Sequence, residues 1–165
     1  MSPWLHGDRP IGYGPAVMKP AAALALALVT LAACGDDPPP AGDTTACGAL
    51  EMGPYVTVTA TISKDNFTPA VLSDAQAYTI TLPATGIGYV KFEATTAREH
   101  VVFVDRDVPV QAQTAASAAI PAKSSAKSSD ACVTIKGRYA FALAVGVNYL
   151  GVGPDAGGPV NLVID

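Results

Sequence analysis

Apolar and polar residues alternate in several short runs along the C-terminal two thirds of this chain. In residues 55–62, YVTVTATI, the side chains of Val56, Val58, Ala60 and Ile62 fall on one side and the threonines on the other. A period of two is the spacing of a β-strand, because successive side chains of a strand point to opposite faces of its sheet. β-Branched residues, which favour strands, fill both sides. The pattern therefore predicts strands rather than amphipathic helices.

Seven further runs of the same kind follow, and glycines and prolines separate them. They cover residues 77–82, 89–94, 100–104, 132–136, 139–145, 148–152 and 160–164. The chain has 15 glycines and 14 prolines, which are the residues that turn a backbone most readily. About eight short strands at this spacing predict an all-β fold, a Greek-key β-sandwich, with an open α+β fold as the alternative.

Residues 111–130 interrupt this series of alternating runs, because they are rich in Ala and Ser and contain few large side chains. Residues 111–119 are expected to form a short, weak helix that Pro121 ends, since proline lacks the amide hydrogen that a helix requires. Residues 123–129 are expected to form a flexible loop.

A targeting pattern precedes the alternating region. Lys19 is followed by an apolar run of Ala, Leu and Val over residues 21–31, which ends in Leu31, Ala32, Ala33 and Cys34. This pattern resembles a bacterial lipoprotein signal, with its Leu-Ala-Ala-Cys lipobox. The run is too short for a transmembrane helix, which needs about 20 apolar residues. An ordinary secretory signal, which would export the chain without a lipid, is the alternative.

The lipoprotein resemblance implies a division of the chain. Residues 1–33 would be a signal peptide, with translation starting at Met1 or Met18. Cys34 would carry a thioether-linked diacylglycerol and an N-acyl chain, and two or more acyl chains hold a protein stably on a bilayer. The Pro- and Asp-rich residues 34–46 are expected to form a flexible linker. Residues 47–165 would then be the β-sandwich domain.

The residue after Cys34 and the net charge of the chain indicate where the protein is located and which partners it binds. In lipoproteins an Asp directly after the lipidated Cys favours retention in the inner membrane. Here Gly35 follows Cys34, which favours the outer membrane, although Asp36 comes next. The formal net charge is −4, which argues against nucleic acid as a partner. The expected partners are the membrane, through the lipid, and an unidentified protein or small molecule.

The chain contains three cysteines, and the assignment of Cys34 to the lipid leaves a pair. In an oxidising compartment, Cys47 and Cys132 are expected to form a disulfide. It would close a loop of about 85 residues. The loss of conformational entropy in the unfolded chain would then stabilise the folded protein by about 4–5 kcal/mol. Two buried free thiols, or a metal or redox site, are the alternatives. The chain has no Cys-x-x-Cys spacing and no cluster of histidines to favour the latter.

Short motifs in the alternating region resemble the cupredoxins. Residues 65–69, DNFTP, match the Phe-x-Pro segment of that family, and His100 begins an apolar strand as the first copper-binding histidine does. Residues 137–141, GRYAF, match a Gly-x-Tyr-x-Phe strand, and residues 160–164 match the closing strand. The resemblance implies a cupredoxin-like sandwich.

The ligands of a blue-copper centre are nevertheless incomplete. That centre uses two imidazoles and a thiolate, often with a weak axial Met. Ala142, Leu143 and Ala144 occupy the positions where the Cys should follow the Tyr-x-Phe strand. His100 is the only histidine after the signal region, and no methionine follows Met52. No metal is therefore expected, with His100 as a weak candidate ligand.

No catalytic residues are assigned, and the chain is not expected to be an enzyme. It has no Gly-x-Ser-x-Gly elbow and no marked partner for His100. The sequence thus predicts a lipid-anchored lipoprotein of the cell envelope with a non-catalytic structural or binding module, and no cofactor besides the lipid on Cys34. A copper-binding or electron-transfer relative of the cupredoxins, and a small envelope hydrolase, are the alternatives.

Overall fold

A computed structural model of the chain describes residues 41–65, 67–72, 75–154 and 158–165. The expected signal peptide, the lipidation site Cys34 and the first part of the expected linker lie outside these described residues. The described part contains one helix and eleven strands. No helix within these ranges is long and apolar enough to cross a membrane.

The elements are numbered in chain order. The helix α1 spans Ala41–Met52. The strands are β1 (Tyr55–Thr59), β2 (Ala70–Val71), β3 (Ala77–Thr81), β4 (Gly88–Ala94), β5 (Arg98–Val104), β6 (Val110–Thr114), β7 (Ala119–Ile120), β8 (Ala122–Ala126), β9 (Gly137–Leu143), β10 (Gly146–Val152) and β11 (Val160–Ile164).

The strands form two sheets. The first sheet has the order β1-β3-β11-β5-β9-β8, and the second has the order β2-β4-β10-β6-β7. Most neighbouring strands are antiparallel, whereas the edge strands β1 and β2 pair in parallel with β3 and β4. The chain passes repeatedly from one sheet to the other, as between β4 and β5 and between β9 and β10. The predicted all-β sandwich is confirmed.

The main core fills the space between the two sheets. In β4, Val90 and Phe92 are buried, while the alternate residues Lys91 and Glu93 are partly or fully exposed, as the alternation predicts. The same pattern places Ile80 of β3 in this core. The other large members of the core come from the central strands: Val102, Val104, Phe141, Leu150, Val152, Leu162 and Ile164.

The helix α1 packs on the outer face of the first sheet and creates a second, smaller core. Leu50 and Ala46 point down from the helix onto Phe103 of β5 and Val163 of β11. These two strand residues alternate with neighbours that face the main core, so β5 and β11 are buried on both faces. Gly53 ends α1 with a positive φ of 63°, and its amide donates to the carbonyl of Ala49, which is an αL C-cap.

The start of the folded body differs from the expected linker of residues 34–46. Residues 41–46 are helical, and two of them, Asp43 and Ala46, are buried. These helical residues could not be predicted from the sequence because α1 is short, and most of its stability comes from the sheet on which it packs rather than from its own helical propensity. Residues 41–46 of the expected linker therefore belong to α1 in the described part of the chain.

Three local predictions are wrong. Residues 111–119 are not helical, because β6 and β7 occupy most of them and pair with each other. Residues 123–129 are not all loop, because β8 pairs with β9 as the exposed edge of the first sheet. Residues 132–136 are not a strand: they form a turn region in which Val133 is exposed and Ile135 is buried in the smaller core.

The prediction that four residues of the first run face the core is half right. Val58 and Ala60 are buried, but Val56 is 45% exposed and Ile62 is 73% exposed. β1 is an edge strand that ends at Thr59, so Ile62 lies beyond the paired part of the run.

Candidate functional site

A cleft of about 310 Å³ lies at the end of the sandwich where β4 passes to β5. The connection is the short segment Thr95-Thr96-Ala97, and it crosses from the second sheet to the first. Residues of both sheets therefore contribute to the walls. The cleft is lined by Leu72, Phe92, Glu93, Thr95, Thr96, Arg98 and His100.

His100 lies at the inner wall of this cleft. It follows the exposed residues Arg98 and Glu99 in β5, and it is only 2% exposed because the alternation of the strand turns it toward the core. Its ring meets the edge of Phe92, with the ring centroids 5.0 Å apart and the planes at 72°. Opposite it in the neighbouring strand β9 is Phe141. The imidazole is thus held by aromatic packing.

This environment lowers the pKa of His100 below its usual value of 6.5. Burial is the main cause, because the charged form loses its hydration, and the positive charge of Arg98 is the second. Hydrogen bonds with the backbone of Thr96 and Asp165, and the carboxylate of Asp165, act in the opposite direction without reversing the shift. The imidazole is therefore neutral at neutral pH.

The depressed pKa of His100 predicts a loss of stability in acid. Between pH 6.5 and the lower pKa of the folded state, the unfolded chain binds more protons, so the free energy of unfolding falls as the pH falls through this window. We expect His100→Gln to flatten this slope. Denaturant unfolding at pH 7.5 and pH 5 measures it, and NMR titration of the imidazole gives the pKa. A His100 pKa at or above 6.5 would contradict the prediction.

A second, more open groove of about 460 Å³ adjoins the cleft. Arg98 lines both. Small apolar residues at the end of β9 and charged residues of β5 and β8 line the groove. The lining residues are Ala97, Arg98, Glu99, Lys123, Ala142, Leu143 and Ala144.

The structure does not assemble a copper site around His100 in the described ranges. The positions after the Tyr-x-Phe strand, Ala142 and Ala144, line the neighbouring groove and offer no ligand atoms. Within the described residues, the single group of three or more His, Cys, Asp or Glu side chains near enough to share a metal ion is Cys47, Glu51 and Cys132. His100 is not among them.

The two cysteines of the predicted disulfide are brought together. Their Sγ atoms lie 2.31 Å apart and their Cα atoms 6.0 Å apart, which is disulfide distance. Cys47 is in the middle of α1, and Cys132 is in the turn region before β9. The pair therefore joins the helix to the segment between β8 and β9 of the first sheet.

An ion pair missed by the sequence analysis lies nearby. Asp43, in the first turn of α1, is 4% exposed and accepts a hydrogen bond from Nε of Arg138 at 3.0 Å and another from the hydroxyl of Ser129 at 2.6 Å. The guanidinium of Arg138 also lies over the ring of Phe103, 5.9 Å from its centroid. Asp is favoured at the start of a helix, so the position of Asp43 follows a local preference. Nothing in the sequence indicates that Asp43 pairs with Arg138, which is 95 positions away.

Comparison with models of known protein families and with curated proteins finds no match for this chain. In the described residues the structure is an all-β sandwich. A cysteine pair and a buried ion pair hold a helix on its outer face. The lipidation site Cys34 lies outside these residues.

Proposed function

We propose that this chain is a lipid-anchored lipoprotein of the cell envelope, whose β-sandwich serves as a non-catalytic structural or binding module. The observation that carries the proposal is the lipobox: Lys19, the apolar run of residues 21–31 and Leu-Ala-Ala-Cys34 fall in the order and spacing of a lipoprotein signal. Gly35 after the cysteine favours the outer membrane as the site of anchoring.

The start of α1 supports a close attachment. The chain has only six residues between Cys34 and Ala41, the first residue of α1. Even fully extended, such a segment reaches at most about 25 Å. A lipid on Cys34 would therefore keep the start of α1 within that distance of the bilayer surface, which suits a module that acts on neighbours in the envelope.

The two adjoining cavities support a binding role. The cleft is polar at its rim, through Thr95, Thr96 and Arg98, and has the aromatic Phe92 in its wall. The groove is lined by small apolar residues together with the charged Arg98, Glu99 and Lys123. Such a mixture of apolar surface and a few charged groups is typical of ligand sites. The described residues that line the two cavities include no serine or cysteine nucleophile.

The lipid anchor is tested by metabolic labelling with a fatty acid. In a bacterium with the lipoprotein pathway, the wild-type chain is expected to incorporate the label, and Cys34→Ser is expected to lose it entirely, because the thioether needs the Cys34 sulfur. Cys47→Ser is the matched control: it also removes one thiol, but it is expected to keep the label.

Two outcomes would contradict the proposal. One is a wild-type chain without label that is recovered from the soluble fraction. The other is a label that survives Cys34→Ser.

A further inference from the structure

The cysteine pair has a third potential metal ligand beside it. Cys47 Sγ, Cys132 Sγ and a carboxylate oxygen of Glu51 all lie within 4.8 Å of one another. Cys47 and Glu51 are four residues apart in α1, so they share one face of the helix on successive turns. Glu51 is held in place, because the hydroxyl of Thr134 donates to its Oε1 at 3.1 Å.

The chemistry of these three groups selects a class of metal. Two thiolates and one carboxylate suit a borderline-soft divalent ion, and zinc is bound in proteins by these ligand types with tetrahedral geometry. Three protein ligands leave a fourth position for water. The hydrogen bond from Thr134 is the kind of outer contact that orients a metal-binding carboxylate.

We propose that the reduced form of this protein binds one zinc ion through Cys47, Cys132 and Glu51. A dithiol reductant transfers two electrons and two protons to the disulfide, which becomes two thiols while the reductant becomes a disulfide. Zn²⁺ then displaces the two thiol protons, which are released to water. The disulfide and the zinc site use the same sulfur atoms, so they are mutually exclusive.

This exchange would preserve the attachment of α1. In both forms a bridge joins Cys47 of the helix to Cys132 of the turn region, either through a sulfur–sulfur bond or through the metal. Oxidising conditions favour the disulfide. The zinc form arises where a dithiol donor reaches the pair, and Cys132 is only partly buried. This proposal does not depend on the lipoprotein assignment.

The test uses the full chain with Cys34→Ser, so that Cys47 and Cys132 are its only cysteines. After reduction and removal of the reductant, titration with Zn²⁺ against a chromogenic chelator is expected to give one zinc per chain and the release of about two protons at pH 7, since free thiols have a pKa near 8.5. Cd²⁺ is expected to give thiolate-to-metal absorption in the ultraviolet. The oxidised protein is expected to bind neither ion at this site.

Two variants distinguish zinc binding at the three-ligand site from zinc binding to the two thiolates alone. Loss of an outer-shell partner costs about 10–100-fold in metal affinity, so loss of a direct ligand in Glu51→Gln is expected to cost at least tenfold. Asp130→Asn is the matched control, because it removes an exposed carboxylate two residues from Cys132 that is outside the group. Its affinity is expected to be unchanged.

The proposal is overturned if the reduced chain binds no zinc stoichiometrically. It is also overturned if Glu51→Gln binds zinc as tightly as Asp130→Asn does. Glu51 is exposed, so Glu51→Gln is expected to fold, and circular dichroism of the reduced variant checks this.

Discussion

Removal of the Cys47–Cys132 cross-link is expected to lower the free energy of unfolding by about 4–5 kcal/mol. The two residues are 85 positions apart, and a cross-link over a loop of this length removes much of the conformational entropy of the unfolded chain. The apolar contacts of α1 through Ala46 and Leu50 are unchanged by the substitution, so the effect comes mainly from the unfolded state.

Denaturant unfolding of the oxidised protein and of Cys47→Ala/Cys132→Ala measures this loss, with Cys34→Ser in both proteins to exclude stray thiols. The single variant Cys34→Ser, compared with the wild type, is the control and is expected to show no change. A loss below about 1 kcal/mol in the double variant would contradict this expectation, because the cross-link would then contribute little to the free energy of unfolding.

The second large effect is expected at the buried ion pair. Asp43→Ala would leave Arg138 without its carboxylate, and Ser129 without the acceptor of its hydroxyl proton. Breaking a buried pair by removal of one partner typically costs about 3–5 kcal/mol. Because the Arg138 side chain is 23% exposed and can regain some water, we expect a loss at the lower end of this range.

A double-mutant cycle with Asp43→Ala and Arg138→Ala isolates the interaction between the two residues. Asp36→Ala is the control, since Asp36 precedes the helix in the expected linker and is expected to change stability by less than about 0.5 kcal/mol. If Asp43→Ala had as small an effect, residues 41–46 would behave as the tether that the sequence predicts, and the docked helix would be contradicted.

The sandwich could be predicted from the sequence because strands buried on one face carry a visible alternation. Val90 and Phe92 in β4 are inward-facing, and the charged residues Lys91 and Glu93 between them point away from the core. Seven of the predicted runs coincide with strands of the structure. In each of them large apolar side chains mark the buried face, which is the strongest pattern that a strand can show.

The prediction failed where the side chains were too small or where tertiary contacts decided the structure. Val110 and Ala112 do alternate with glutamines in β6, but the many alanines that follow favoured a helix. Residues 132–136 contain β-branched side chains that favour a strand. There, the cysteine pair and the burial of Ile135 under α1 hold a turn region instead.

The site residues also fall into two groups: some could be selected from the sequence, and others could not. His100 and the cysteine pair could be selected in advance because histidine and cysteine are rare in this chain, which contains two and three of them. The cleft around Arg98, the ion pair of Asp43 and the position of Glu51 could not be predicted. The ion pair and the contact of Glu51 with Cys132 depend on elements that are distant in sequence, and the cleft forms only because the neighbouring strands β4 and β5 join opposite sheets.

The position of the cysteine pair determines how the domain would respond to mechanical tension from a membrane anchor. A pull at the N-terminal end of α1 can unwind the helix only as far as Cys47, where the force passes through a covalent bond to Cys132. Cys132 lies between β8 and β9, which pair with each other, and β9 also pairs with β5. The parallel edge strand β1, the next element after α1 and the easiest to peel away, is thereby shielded from the force.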